Sequence, residues 1–446
     1  MKKIVSSFLA LCMAVTASAE GFQVNNFSAR QMGMGHTGAA LELGAESMLF
    51  NPGALGMSGF SLDASAGMTA IFSEASARID GTKYVTDNKV STPFNVSAAF
   101  RIYDNLYAGI CISTPYGSSI KWGDNWAAAI LNQSVDIKVF DVQPTVSWRV
   151  TPNLSVGAGL QIAWGSVNLN KGLVTDGSYN ALIGALGLPD AMRLDGITPA
   201  SVNLDGHSET AVGYNLGAFW KINDKVCVGA SFRSKLDMKV KKGDATVTYA
   251  NEAARTVLGT ALDNLNATNF AASLPCPWVT LVGVAYKPIK PLTLAFDLQI
   301  NGWSDYETLD VEFDRLEGFD QHLVKNYHTA LTYHLGAQYA LTHRFDLRAG
   351  LMVDCSPCDK NHYNPETPGQ TRVEPTLGFS FRPVPAFSID LSAMYVVGCG
   401  QDGATGVYED FIGASYPALG IPALGSIRGD YRLHAFSAGI GLSYRF

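Results

Sequence analysis

The chain has 446 residues, of which 47% are hydrophobic, 11% aromatic and 16% charged, with a formal net charge of −7 at pH 7. An average soluble domain carries ~25% charged residues, and a chain this apolar is not intrinsically disordered. The mild acidity excludes a nucleic-acid binder that works through a basic face, so nucleic acid is not expected as a partner.

In chain order, the first element is a leader. Lys2 and Lys3 form a basic start, Ile4 to Val15 an apolar stretch, and Ala17-Ser18-Ala19 an A-x-A cleavage signal. Residues 1–19 are therefore read as a signal peptide, with the mature chain starting at Glu20. Cys12 follows Leu11 inside the apolar stretch, which does not fit a lipoprotein signal. No later stretch reaches the ~18–20 consecutive apolar residues of a membrane-spanning helix. Such a composition then requires either a large buried core or a β-barrel with lipid around it.

Residues 20–58 precede the first strand. They contain short alternation (Phe22, Val24) and the run Gly33-Met34-Gly35-His36-Thr37-Gly38. That run matches G-x-G-x-x-G, but no strand and crossover helix surround it and no acidic residue follows at the required spacing. Its glycines suit the close packing of a compact plug, so 20–58 is read as an N-terminal hatch and 59–446 as the barrel.

From Phe60 to Phe72 every even position is apolar while the odd ones are mostly Ser, Asp, Gly and Thr, the period-two signature of a strand. The pattern recurs at 94–102, 106–112, 140–148, 154–164, 212–220, 226–232, 278–286, 292–300, 331–339, 345–351, 373–381, 387–397 and 433–446, giving fourteen strands.

The connections sort by parity. Tyr103-Asp104-Asn105, Thr151-Pro152-Asn153, Asn223-Asp224, Lys287 to Pro291, Thr342-His343-Arg344 and Pro383-Val384-Pro385 are short. Those at 73–92, 115–138, 166–209, 234–276, 302–326, 353–370 and 399–430 are long. Tight turns alternating with long loops and an even strand count mark a bacterial outer-membrane barrel. In hydrocarbon every backbone amide needs an internal partner, and closure removes the unpaired edge. The expected fold is all-β: a 14-stranded antiparallel transmembrane β-barrel with an N-terminal plug. Tyr107, Trp148, Trp164, Trp220, Tyr286 and Trp303 stand near strand ends and suit interfacial girdles.

Two long loops are unexpectedly apolar. One carries Ala181 to Leu188, including Leu182, Ile183, Leu186 and Leu188; the next carries Val257, Leu258, Leu262 and Leu265 at helical spacing. They are candidates for a substrate groove, and would equally serve to close the barrel mouth against each other. Cys355-Ser356-Pro357-Cys358 is compatible with a local disulfide. One C-x-x-C without a second pair does not make a metal site, so no metal or cofactor is expected. His328 and His334 have the even separation that shares a strand face. Neither G-x-S-x-G nor H-E-x-x-H occurs, so an outer-membrane lipase or protease is disfavoured. A general diffusion porin is the alternative, though porins usually line the lumen with charge and lack so long an N-terminal segment.

At this point the chain resembles, end to end, the FadL-like long-chain fatty-acid transporters of the outer membrane. The resemblance rests on Gly21-Phe22-Gln23-Val24-Asn25-Asn26-Phe27-Ser28, on Asn51-Pro52 (with Gly53 before Ala54 where the family reads Asn-Pro-Ala), and on Thr114-Pro115-Tyr116-Gly117. Trp303-Ser304-x-Tyr306, Arg348-x-Gly350 and Asp354-x-Ser356-Pro357 extend it through the carboxy-terminal half. The resemblance implies capture of a hydrophobic small molecule on apolar extracellular loops, a lumen site above a hatch, and lateral exit at a kinked third strand. On this chain it assigns hatch or gating roles to Phe22, Asn51 and Pro52, and the lateral opening to Pro115 and Gly117. Proline cannot donate to a ladder and belongs at an edge or bulge. It implies passive transport by a monomer surrounded by outer-membrane lipid. Lys325 is the candidate for a carboxylate head, or else a solvated strand-end lysine. Fatty-acid-binding members place an arginine soon after strand five, where this chain has Ala163-Trp164-Gly165-Ser166. Uncharged lipids and aromatic hydrocarbons therefore stand beside fatty acids as substrates.

Overall fold

The alternation along each strand becomes the two faces of a closed wall. A computed structural model describes residues 21–25, 28–314 and 316–446; the leader, its cleavage site, Asn26 and Phe27 lie outside the described residues. The wall consists of β1 Leu62–Ile79, β2 Phe94–Tyr103, β3 Leu106–Lys121, β4 Ser134–Thr151, β5 Leu154–Gly172, β6 Ala211–Lys221 and β7 Val226–Arg233. It continues with β8 Val279–Ile289, β9 Leu292–Asn301, β10 Ala330–Ala340, β11 Phe345–Asp354, β12 Arg372–Val384, β13 Phe387–Gly398 and β14 Leu424–Arg445. Each pairs antiparallel with its neighbours in this order. β14 closes on β1 from Asp63↔Arg445 to Arg78↔Asp430. The ring has no free edge at the level of the membrane apart from one place on β3, described below.

Alternate side chains obey the expected parity. Met68, Phe72, Val96, Phe100, Ile110 and Val146 are exposed on the outer face, while Asp63, Ser65, Thr69, Asn95, Ser97 and Gln143 are buried inside. Trp148, Trp164, Trp220 and Tyr286 face outward as girdle residues. Tyr107 and Trp303 do not. Tyr107 has the inward phase of β3 and meets Phe60 edge to face with centroids 5.4 Å apart. Trp303 sits in a short turn of 3-10 helix after β9 and is buried. Both are corrections to the girdle expectation: Tyr107 has the inward strand phase, and Trp303 lies beyond the end of β9 in a turn that packs against Phe22.

The long connections carry more order than the alternation implied. Ala200–His207, Leu236–Tyr249, Asn269–Cys276, Thr308–Phe313 and Gln321–Val324 form a run of antiparallel strands that begins on the far half of β5. Thr82–Val85 extends β1, and Gln401–Glu409 extends β14. This second tier satisfies loop backbone groups and encloses a large apolar cluster above the ring.

Candidate functional site

The site begins at an interruption in β3. Its pairing with β2 runs only from Tyr103↔Leu106 to Asn95↔Ser113. Its register against β4 shifts between Ser113 and Tyr116, with Pro115 inside the shift. The N-terminal residues take up the edge of β3 left open there. Val24 N donates to Pro115 O at 2.9 Å, Gly117 N donates to Phe22 O at 2.8 Å, and Gln23 bridges Tyr116 in antiparallel register. A free edge in a membrane wall is costly, and three residues of the chain's own start cover it. Pro115 and Gly117 both lie at this interruption. A Cβ on Gly117 would lie 3.1 Å from Ile137 O.

This added strand partitions two cavities. One, of about 500 Å³, opens beside β3 and is lined by Val24, Val90, Phe94, Gly117, Met352 and Met394 among others. The second, of about 60 Å³, lies in the apolar cluster, bounded by Phe22, Leu169, Leu204, Met238, Phe270 and Leu309. Ile137 and Thr367 line both. Phe22 lines the small cavity, while Gln23 and Val24 border the large one. The Phe22 ring is wedged against Trp303 at 4.9 Å and Tyr116 at 6.0 Å between centroids.

Residues 28–58 hydrogen-bond to the inner face of the ring. The segment holds three one-turn helices: α1 Ala29–Met32, α2 Ser47–Phe50 and α3 Pro52–Leu55. Asp297 of β9 accepts the amides of Gly38 (2.6 Å) and Ala39 (2.9 Å). Gln143 donates to Met48 O at 2.9 Å, and Ser231 donates to Phe50 O at 2.6 Å. Asn51 caps α3 by accepting from Gly53 N, and its amide donates to Ala39 O (2.7 Å) and to Ala218 O of β6 (2.9 Å). Pro52 follows at the first helical position, where its missing N–H is harmless. Asn51 is therefore a fastener between segment and wall. Phe50, Ala54 and Leu55 around it form an apolar cluster separate from that of Phe22, so the structure divides the expected hatch residues between two places. Wall glycines let the segment approach: a Cβ on Gly229 would lie 1.8 Å from Ala39 O.

The apolar loop residues face mostly inward. α4 Asp176–Ala185 is capped by Thr175 and buries Leu182 and Ile183; α5 Glu252–Leu262 is capped by Asn251 and buries Leu258 and Leu262. Leu265 is also buried, while Leu188 and Val257 pack against the same cluster as Phe22. Leu186 is exposed, as are Tyr416 and Leu424. These side chains chiefly roof the apolar interior, leaving a smaller exposed patch.

Lys325 is buried, not solvated, and forms an ion pair with Glu366. Sequence reading missed Glu366. It belongs to the long connection 353–370, read from the sequence as one of the external loops, whose last part is buried from Pro365 to Gln370. Cys355 and Cys358 are both buried and no disulfide joins them, and burial raises the pKa of Cys358. His334 contacts Gly35 O at 2.9 Å through Nδ1, whereas His328 precedes β10 and is exposed, so the two do not share a strand face.

A closed fourteen-stranded ring, lipid-facing outside and occupied within, defines an outer-membrane transport barrel. The chain belongs to the outer membrane protein transport protein family (OMPP1/FadL/TodX), whose model matches residues 10–446. It is an outer-membrane transport protein and not an enzyme. It is similar to outer membrane protein P1 of Haemophilus influenzae, 24% identical over 431 residues covering 89% of this chain and 91% of that protein. The long-chain fatty acid transport protein of Escherichia coli (strain K12) is 21% identical over 88% of this chain and 92% of its own length. In fold it is similar to a Pseudomonas aeruginosa FadL homologue (TM-score 0.78, 17% identity, 96% of this chain and 100% of that one). It is also similar to the Ralstonia pickettii toluene transporter TbuX (TM-score 0.65, 18% identity, 95% and 99%).

Proposed function

We propose that the protein carries hydrophobic molecules passively across the outer membrane, from an apolar extracellular patch to the bilayer through the side of the barrel. Relatives named for long-chain fatty acid and toluene transport support that substrate range. Solute partitions onto the patch around Leu186 and the roof formed by α4 and α5, then into the apolar cluster, gaining about 0.8 kcal/mol per buried methylene. Residues 28–58 act as the plug that blocks straight passage. Withdrawal of Phe22 to Val24 joins the two cavities and exposes the gap at Pro115 and Gly117, so that solute leaves into lipid and avoids the polar outer leaflet surface.

The observation that carries this reading is the strand Phe22–Val24, hydrogen-bonded to β3 across its bulge and bordering both cavities. The test is a cross-link between its paired positions. Gln23→Cys with Tyr116→Cys should block uptake of toluene when oxidised and restore it on reduction. Unchanged uptake with the cross-link fully formed would refute the gate.

A further inference from the structure

We propose that Glu366 sets the substrate class of the apolar cavity. By neutralising Lys325 inside the protein, it reserves the cavity for uncharged hydrophobic molecules and turns away a free carboxylate. This inference rests on the transport reading above and narrows it.

The cavity behind Phe22 is apolar on nearly every side, and Glu366 is the one charged residue among those lining it. Its partner is almost wholly withdrawn from water: the side chains of Lys325 and Glu366 are 1% and 8% exposed. The pair is rigidly seated. Lys325 N donates to Glu307 O at 2.8 Å, and its ammonium stands 6.0 Å from the centroid of the Tyr306 ring. On the other side, Glu366 N donates to Asn364 Oδ1 at 3.0 Å, Trp122 Nε1 donates to Pro365 O at 2.9 Å, and Thr367 meets the Tyr327 hydroxyl at 2.9 Å. Glu366 is thus a carboxylate held where a substrate carboxylate would otherwise bind the ammonium.

The neighbouring cations lie outside the lining of the small cavity. Lys171 is buried one strand repeat beyond Leu169, outside the lining of both cavities, and its ammonium donates to Gln321 Oε1 at 3.0 Å. Arg372, on the large cavity, pairs with both Asp354 and Glu374, two carboxylates to one guanidinium. Behind Phe22 an anion would lose its hydration and face Glu366, the one charged residue of the described lining, while Lys89 and Lys138 line only the large cavity. An alcohol or hydrocarbon loses little hydration on the same path. Removing the Glu366 charge would leave Lys325 buried without a counterion, and a carboxylate ligand would then supply it.

The test is competition between palmitate and 1-hexadecanol, equimolar and at pH above 8, for purified full-length protein, with bound ligand quantified by mass spectrometry. Wild type should favour the alcohol by about tenfold or more, and Glu366→Gln should raise palmitate binding by at least about tenfold. The double variant Lys325→Met/Glu366→Leu, which removes the buried ion pair, should keep the alcohol preference; it and the wild type decide the matter if Glu366→Gln does not fold. Wild-type binding of palmitate as tight as the alcohol overturns this proposal and leaves hydrophobic transport standing. So does a folded Glu366→Gln that binds the alcohol but gains no palmitate. Binding of neither ligand overturns the transport reading and this one with it.

Discussion

The rings of Phe22 and Trp303 meet edge to face with centroids 4.9 Å apart, so the start of the chain is held by an aromatic residue from the loop after β9. Phe22 also walls the small apolar cavity. Phe22→Ala should loosen the added strand and open the partition. Transport of toluene should become faster than in wild type, and planar bilayers should show ion current that the parent lacks. A variant with wild-type uptake and no current would remove Phe22 from the gate.

Gly117 stands at the other side of that gate. A side chain there meets Ile137 O and Val24, so Gly117→Val should narrow the lateral gap and slow uptake of toluene several-fold while the barrel still assembles. Uptake and heat-modified gel mobility, measured on the same preparation, separate slowed passage from failed folding.

The contact between Gly229 and Ala39 tests the seating of residues 28–58. Any Cβ at position 229 collides with Ala39 O, and overpacking of this kind costs about 1–3 kcal/mol. Gly229→Ala should lower the thermal midpoint in detergent and raise ion leak. Asp297→Ala should act in the same direction by stranding the Gly38 and Ala39 amides, at about 1–3 kcal/mol per lost acceptor. Asp297→Asn keeps an acceptor oxygen and should cost less. An Asp297→Ala protein as stable as the parent would show that these amides do not anchor the segment.

Two groups in the same segment set opposite pH dependences. Burial raises the Glu46 carboxyl to about 7, although Ser28 donates a hydrogen bond to it at 2.9 Å. The folded state therefore holds this proton more tightly than the unfolded chain, and stability falls as pH rises from about 4.5 to 7, on the order of 3 kcal/mol. Burial, with the charge of His334 second, lowers His36 to about 3. His36 stays neutral in the folded protein, and its contribution is lost as pH falls from 6.5 towards 3. The two slopes oppose one another between about 4.5 and 6.5. Glu46→Gln should thus gain stability relative to wild type above pH 5 and lose that advantage below about 4.5, read from unfolding midpoints against pH. A difference independent of pH would remove Glu46 as the cause.

Local chemistry made much of the molecule legible. Period two in a strand is a property of successive residues, so fourteen strands and the outward phase of Trp148 and Trp220 follow from neighbours alone. The missing N–H of Pro115 is likewise local, and the register of β3 against β4 shifts around it. The leucines of α4 and α5 were found as apolar loop segments, but which way they faced was not visible.

What only the tertiary structure decided is which distant residues share the interior. Tyr107 turns inward because closure assigns one strand phase to the lumen, and Trp303 is buried because the turn after β9 packs it against Phe22. The ion pair of Lys325 with Glu366 exists because a loop that reads as exterior folds into the lumen, bringing together residues 41 positions apart in the chain. Whether a side chain faces lipid depends on its immediate neighbours and the period of the backbone. Which group it meets across the lumen depends on register around the whole ring, a long-range quantity that no short stretch of sequence encodes.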